Sequence, residues 1–416
     1  MSSHGPQHLA SLSQAHHVLH HTMDILSCPA LVQGDIDESR MQNALWRVIQ
    51  QHPALRTRFV IEAESVFRET SQPENLPLYF VDKRGVPKPA LDDFMREYAQ
   101  YQRHSLPKRN VGPLFSCSFI QYAQGSYFFL LTIDHIICDA WSIKLFADDL
   151  FRAYDDEQLF CTPALDDPFS DFITWQRNKV NSTQDKLLNF WSSTVAENKP
   201  SPLAPTGETC KQKFILSTEL TELLTTTAQH TQVSVFTYLL ATLKLLLCRL
   251  HQPDTLIRIV HSGRYRQPWK KTIGLFASSL FIHIPLADVT TLQQLLKSTQ
   301  KALYQSIKWS FVPIEYFESL GKNIAAKIEL DYMPLDLFAH PSQHLRLETL
   351  LDPTLEALQP DLDMQLLCYH QDKKLCFFVI YKSALFPLAE ETLLNHYASL
   401  LQSMLTQRDL ALAHEP

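Results

Sequence analysis

The segment from Ser126 to Ser142, SYFFLLTIDHIICDAWS, constrains the fold of this chain more than any other. Its first part, Tyr127 to Ile133, is almost entirely aromatic, aliphatic or β-branched, the pattern of a strand covered on both faces. The run then breaks, without a glycine, into Asp134, His135 and Asp139, and Ser142 heads an apolar periodic segment. This order predicts a strand, a polar turn and a helix with Ser142 as its N-cap. The carboxyl end of a strand is a common place for chemistry in α/β proteins. His135 is therefore a candidate general base, since an imidazole titrates near neutral pH and can take a proton from an attacking amine or hydroxyl. The plainer alternative is a histidine that ends the strand and hydrogen-bonds a nearby carbonyl.

A chain of 416 residues is long for one core, which predicts two domains. Glycine is scarce, nine in all, and neither GxGxxG nor GxxxxGK[ST] occurs, so a Gly-rich phosphate loop is excluded. The net charge of −7 argues against a nucleic-acid binder held by phosphate contacts. Eight cysteines form no CxxC pair and no zinc spacing, which fits reduced thiols in a cytoplasm. The first residues lack a charged region followed by an apolar core, so no signal peptide is expected. The most apolar long segment, Val233 to Leu250, carries Lys244 and Arg249, and is expected to be a buried helix rather than a membrane span.

Leu12 to Met23 is expected to be a helix bearing His16, His17, His20 and His21. Pairs four apart share a face and could hold a metal, but no third ligand is evident, and a polar helix face is the preferred reading. A second helix is expected after Asp37, with Met41, Ala44, Leu45 and Val48 on one side and Pro53 beyond its end. Arg56 follows in a turn into a strand. It is either a solvated charge or the partner of a buried carboxylate.

The run Gln51 to Phe59, QHPALRTRF, resembles the RHExLRTxF signature of the condensation domains of non-ribosomal peptide synthetases, and the central segment resembles their HHxxxDGxS signature. Gly112-Pro113-Leu114-Phe115 is similar to gPLfR, Asp171 to Gln176 to DYAxWQ, and Phe190-Trp191 to the YW that follows. Ser262-Gly263-Arg264 and Ile273 to Phe276 are similar to the SGR and IGxFxN segments, Pro313-Ile314-Glu315 to PFE, and Tyr381 to Phe386 to the closing YxxxLF. These matches keep the family's order over essentially the whole chain.

The resemblance implies an α/β fold of two chloramphenicol-acetyltransferase-like lobes, a pseudo-dimer with the active site in a tunnel between them. The lobes would be residues 1–183, carrying the DHIICDAWS motif, and 206–416, joined by a linker over 184–205 where Pro200, Pro202 and Pro205 cluster. It implies transfer of an acyl group from a phosphopantetheine thioester, on a carrier protein acting in trans or on CoA, to an amine. The amine would be a small molecule or a carrier-bound aminoacyl group. Neither a cofactor of the chain's own, a metal, a nucleic acid nor a membrane is expected. His135 would be the catalytic histidine, Asp139 a largely structural aspartate paired with Arg56, and Ser142 the serine of the motif.

The departures carry information too. Asp134 replaces the first histidine, Ala140 the glycine after the aspartate, Ser278 the asparagine that follows the segment containing Gly274, and His16 and Val18 stand where the family tends to have Gln and Arg. Asp134, Asp139 and Ser142 also fit DxxxxDxxS, the signature of heterocyclisation domains, in which two carboxylates could divide acid and base work if their pKa values were pushed apart. A catalytically inactive docking platform for tailoring enzymes is a third alternative. Finally, Arg264, Arg266, Lys270 and Lys271 form a basic cluster that could meet the acidic surface or pantetheine phosphate of a carrier protein; a solvated loop is the simpler explanation.

Overall fold

The computed structural model describes residues 8–22, 24–162, 166–196, 207–250, 254–286, 289–319, 326–333, 342–350, 362–371, 373–385 and 392–406. The chain divides into two compact units. The first comprises Met1–Lys179, Ser262–Ala277 and Leu335–Leu355; the second comprises Val180–His261, Ser278–Pro334 and Glu356–Pro416.

In the first unit the chain runs β1 (His8–Leu9), α1 (Leu12–Leu19), β2 (Ile25–Gln33), α2 (Glu38–Gln51), β3 (Thr57–Glu62), β4 (Ser65–Thr70), β5 (Leu78–Asp82), α3 (Lys88–Ser105), β6 (Phe115–Ala123), β7 (Ser126–Asp134) and α4 (Ala140–Asp155). Helix α5 (Pro168–Ala196) contains the boundary between the units. The second unit continues with β8 (Thr209–Ile215), α6 (Thr218–His230), α7 (Val235–Arg249), β9 (Ile257–His261), β10 (Ser278–Ile282), α8 (Leu292–Ile307), α9 (Ile314–Ser319) and β11 (Ile328–Met333). Strand β12 (Arg346–Thr349) returns to the first unit, and β13 (Met364–Gln371), β14 (Lys374–Lys382) and α10 (Leu393–Thr406) complete the second.

The first unit holds a five-stranded sheet, in the order β12-β2-β7-β6-β5, and a small sheet β1-β4-β3. Strand β7 is central, as its composition predicts, and Phe128 to Asp134 are all buried. Successive side chains take opposite faces. Phe128 and Leu130 pack with Ala99 and its neighbours on α3, while the Phe129 ring meets Phe151 of α4 at 5.9 Å. A strand with helices on both faces has no polar side, which is why this run lacks alternation. Its two neighbours are nonetheless antiparallel: Ile25 faces Asp134 and Phe115 faces Ile133.

The second unit is built on a six-stranded sheet, β10-β9-β11-β13-β14-β8. Helix α7 is its buried helix, as the segment Val233 to Leu250 predicts, and no single helix among the described residues is long and apolar enough to cross a membrane. Two expectations shift. The expected linker begins inside α5, since Gln184 to Ala196 are helical, and the second half of the chain lends Ser262–Ala277 to the first unit. Met23, Phe386 and the Pro200, Pro202 and Pro205 cluster lie outside the described residues.

Candidate active site

Strand β7 ends at Asp134, and a single helical turn, His135–Ile137, carries the chain towards α4. The Asp134 carboxylate caps that turn, accepting from the Ile136 amide at 3.0 Å, and is held by Arg109, whose Nε donates to it at 2.8 Å. Gln14 of α1 donates from its Nε2 to the Ile136 carbonyl at 2.9 Å. Gln14 is itself fixed by a capping box with Ser11. The turn is thus gripped from β7, α1 and the segment before β6.

His135 is half-buried, and its Nδ1 lies 2.8 Å from the Cys138 carbonyl oxygen. A carbonyl cannot donate, so in the neutral ring Nδ1 carries the proton and Nε2 keeps its lone pair. Among the described residues Nε2 makes no hydrogen bond. The bond to a carbonyl, which by itself would suit a purely structural histidine, is here what orients a base.

The N-cap of α4 is Asp139, not Ser142: the Ser142 amide donates to Asp139 Oδ1 at 2.8 Å, and Ser142 lies one turn inside the helix. Ala140 takes the first helical position. The second Asp139 oxygen explains the choice of cap. Oδ2 accepts from Arg264 Nη1 at 2.5 Å and from the Phe276 and Ala277 amides at 3.1 and 3.2 Å. Ser142 Oγ accepts from Arg264 Nη2 at 2.8 Å and from the Gly274 amide at 3.0 Å. One carboxylate and one hydroxyl therefore clamp the segment Ser262–Ala277 against the start of α4. Burial alone would raise the Asp139 pKa, but the Arg264 guanidinium and the hydrogen bonds outweigh it and hold the carboxyl below its ordinary value.

Two glycines permit this close approach. Gly263 sits at φ +66°, and a Cβ there would fall 2.1 Å from the Phe276 carbonyl oxygen. At Gly274 a Cβ would meet the Phe169 ring at 2.7 Å. Phe169, Phe172, Ile173, Trp269 and Phe276 form a buried cluster beneath the clamp, with Trp175 against it.

Three expected roles are corrected. Asp139 pairs with Arg264, not with Arg56. Arg56 lies instead in the field of Asp167, half-buried. Arg264 cannot be a surface contact for a carrier protein, because its side chain is 1% exposed and committed to Asp139 and Ser142. The other three cations remain exposed, with the Arg266 guanidinium 5.0 Å from the Trp269 ring centroid. Ser278 begins β10 in the second unit, where its hydroxyl donates to the Ser310 carbonyl. Among the described residues no group of three or more His, Cys, Asp or Glu side chains is placed to hold a metal, the α1 histidines included. Gln14 and Arg109 escaped the sequence reading. The Ser11-x-x-Gln14 spacing is a signal for the first; nothing local marks the second.

Residues 15–415 match the family model described as the condensation domain. A linear gramicidin synthase of Brevibacillus parabrevis is 25% identical over 408 residues, which cover 92% of this chain and 8% of that protein. This chain therefore spans under a tenth of the length of that curated relative. The condensation domain of the monacolin K polyketide synthase MokA superposes with a TM-score of 0.79 at 17% identity, covering 99% of this chain and 100% of that one. A cyclization-docking bidomain, EpoB of Sorangium cellulosum, superposes with a TM-score of 0.73 at 15% identity, covering 96% of this chain and 85% of the other. The likeness extends to both kinds of domain, so it speaks for the shared fold alone.

Proposed function

The chain belongs to the condensation-domain family, and from that premise we propose that it joins an acyl group, presented as a phosphopantetheine thioester by a carrier protein in trans or by CoA, to an amine. The amine nitrogen attacks the thioester carbonyl, the carbon–sulfur bond breaks, and the thiol leaves with the proton that the amine gives up. The observation that carries this reading is the His135 ring, whose Nδ1–H is spent on the Cys138 carbonyl so that Nε2 is left to accept from the amine.

Both aspartates of the motif are already engaged, Asp134 with Arg109 and the Ile136 amide, Asp139 with Arg264 and the chain around it. Neither is spare to divide acid and base work, which favours simple condensation over cyclodehydration. Exposed Arg266, Lys270 and Lys271 supply a cationic edge suited to an acidic carrier surface or a pantetheine phosphate.

Intact-mass spectrometry of an acyl-loaded carrier protein, incubated with the chain and a pool of amines that includes cysteine and serine, tests the reading. The expected result is an amide product that disappears with His135→Ala. A product lighter by one further water would return the chemistry to Asp134 and Asp139. Tight carrier binding with no product from any donor would make the chain a docking platform.

A further inference from the structure

The first unit contains a concavity of about 1170 Å³, and His135 is not among the residues that line it. Its walls come from β3, the β4–β5 connection, the end of α3 and the residues leading into β6, and they include Arg56, Arg58, Tyr79, Tyr98, Tyr101 and Gln102. The space is ample for a small molecule, whose pockets run roughly 300–1,000 Å³.

The floor is preorganised. Gln102, 5% exposed, donates from Nε2 to the Tyr98 hydroxyl at 2.8 Å and accepts from Ser116 Oγ at 3.0 Å. The lining also carries uncovered aromatic and aliphatic side chains, with Tyr79 48%, Tyr101 64% and Val111 59% exposed.

The two arginines differ. Arg58 is neutralised by Glu69, whose carboxylate accepts from its Nη2 at 2.8 Å. Arg56 is half-buried, its Nε is shielded from water without a hydrogen-bond partner, and none of the described residues takes a hydrogen bond from its guanidinium. Asp167, the acid whose charge acts on Arg56, is held at 2.6 Å by Arg68 and accepts from Ser170. A partly desolvated guanidinium facing no bonded carboxylate is costly, and an anion that fits its planar fork offsets that cost. Glu74, exposed in the lining, opposes a second negative charge.

We propose that this cavity binds a small-molecule monocarboxylate with an aromatic body, its carboxylate on Arg56 and its rings against Tyr79 and Tyr101. The site is independent of the acyl-transfer reading. One guanidinium without a bonded acid, in a lining that also holds the Glu74 carboxylate, matches a monoanion better than a phosphate dianion.

Isothermal titration calorimetry with 2-naphthoate and its neutral isostere 2-naphthamide as probes tests it. The chain is expected to bind the acid at least about tenfold more tightly than the amide, the gain of a charge-assisted pair. Arg56→Gln should remove that preference, Tyr101→Ala should weaken both probes, and His135→Ala should change neither. Equal affinity for acid and amide, binding of neither, or a preference that survives Arg56→Gln would overturn the site. So would a preference lost in His135→Ala, which would put the probe at the reaction centre. Tyr101 is mostly exposed, so its variant keeps the test decisive even if Arg56→Gln does not fold; unchanged affinity for both probes in Tyr101→Ala would also overturn the proposal.

Discussion

The Asp139 carboxylate and the Arg264 guanidinium lie 2.5 Å apart, buried, 125 residues apart in sequence. A paired buried charge is a poor source of net stability, yet removing one partner strands the other without solvent. This pair therefore acts as a condition for the local structure: it decides where the segment Ser262–Ala277 rests against α4.

Arg264→Ala should lower unfolding stability by about 3–5 kcal/mol, because it leaves Asp139 charged and buried. Asp139→Ala should cost a similar amount, and the double variant much less than the sum, as residues in one network couple. Urea denaturation of the two single variants and the double variant checks this; additive losses would mean the pair does not act as a unit.

The pH dependence of the pair has a definite sign. The folded Asp139 pKa lies below its unfolded value of about 3.9, so its contribution is fully present above that value and is lost as pH falls through the folded pKa. Acid unfolding of Asp139→Asn should lack this component, which denaturation at a series of acidic pH values would reveal.

His135→Ala should leave folding stability nearly unchanged, since the side chain makes one hydrogen bond and is half-buried, while product formation falls by roughly 10²–10⁴. The two readouts must separate. A variant that unfolds at lower urea and loses activity in proportion would make His135 structural.

At Gly274 the obstacle to a side chain is the Phe169 ring. Gly274→Ala should destabilise by about 1–3 kcal/mol through overpacking, and Phe169→Leu in the same chain should recover part of the loss. Thermal melts of the single and double variants decide it.

In the second unit, burial and then the neighbouring Glu329 charge push the Asp331 carboxyl up to about 7. Its unfolded value is about 3.9, so the unfolded chain releases this proton first, and stability falls as pH rises from about 4 towards 7. Asp331→Asn should be close to neutral near pH 4 and stabilising, on the order of 4 kcal/mol, near pH 8. Parallel urea titrations at the two pH values should show the difference, and equal effects at both would remove Asp331 as its source.

What the sequence determined by itself were features encoded by neighbours along the chain. The buried strand through Phe128 to Ile133 was legible from an unbroken apolar run, and α2 from apolar residues at helical spacing followed by Pro53. The order of short motifs was enough to point to the family, and His135 stood out as the ionisable ring in a turn after a buried strand. Tertiary structure alone decided the direction of the neighbouring strands, because burial on two faces looks the same beside parallel and antiparallel partners. It also decided between Asp139 and Ser142 as N-cap: both residue types cap helices, and the choice followed from the donors that Arg264, Phe276 and Ala277 bring to the second Asp139 oxygen. The family resemblance pointed to Arg56 as the partner of Asp139, and Arg264 was expected in a carrier-facing basic cluster. Charge pairing depends on distance in space, and no periodicity along the chain records which guanidinium will be 2.5 Å away.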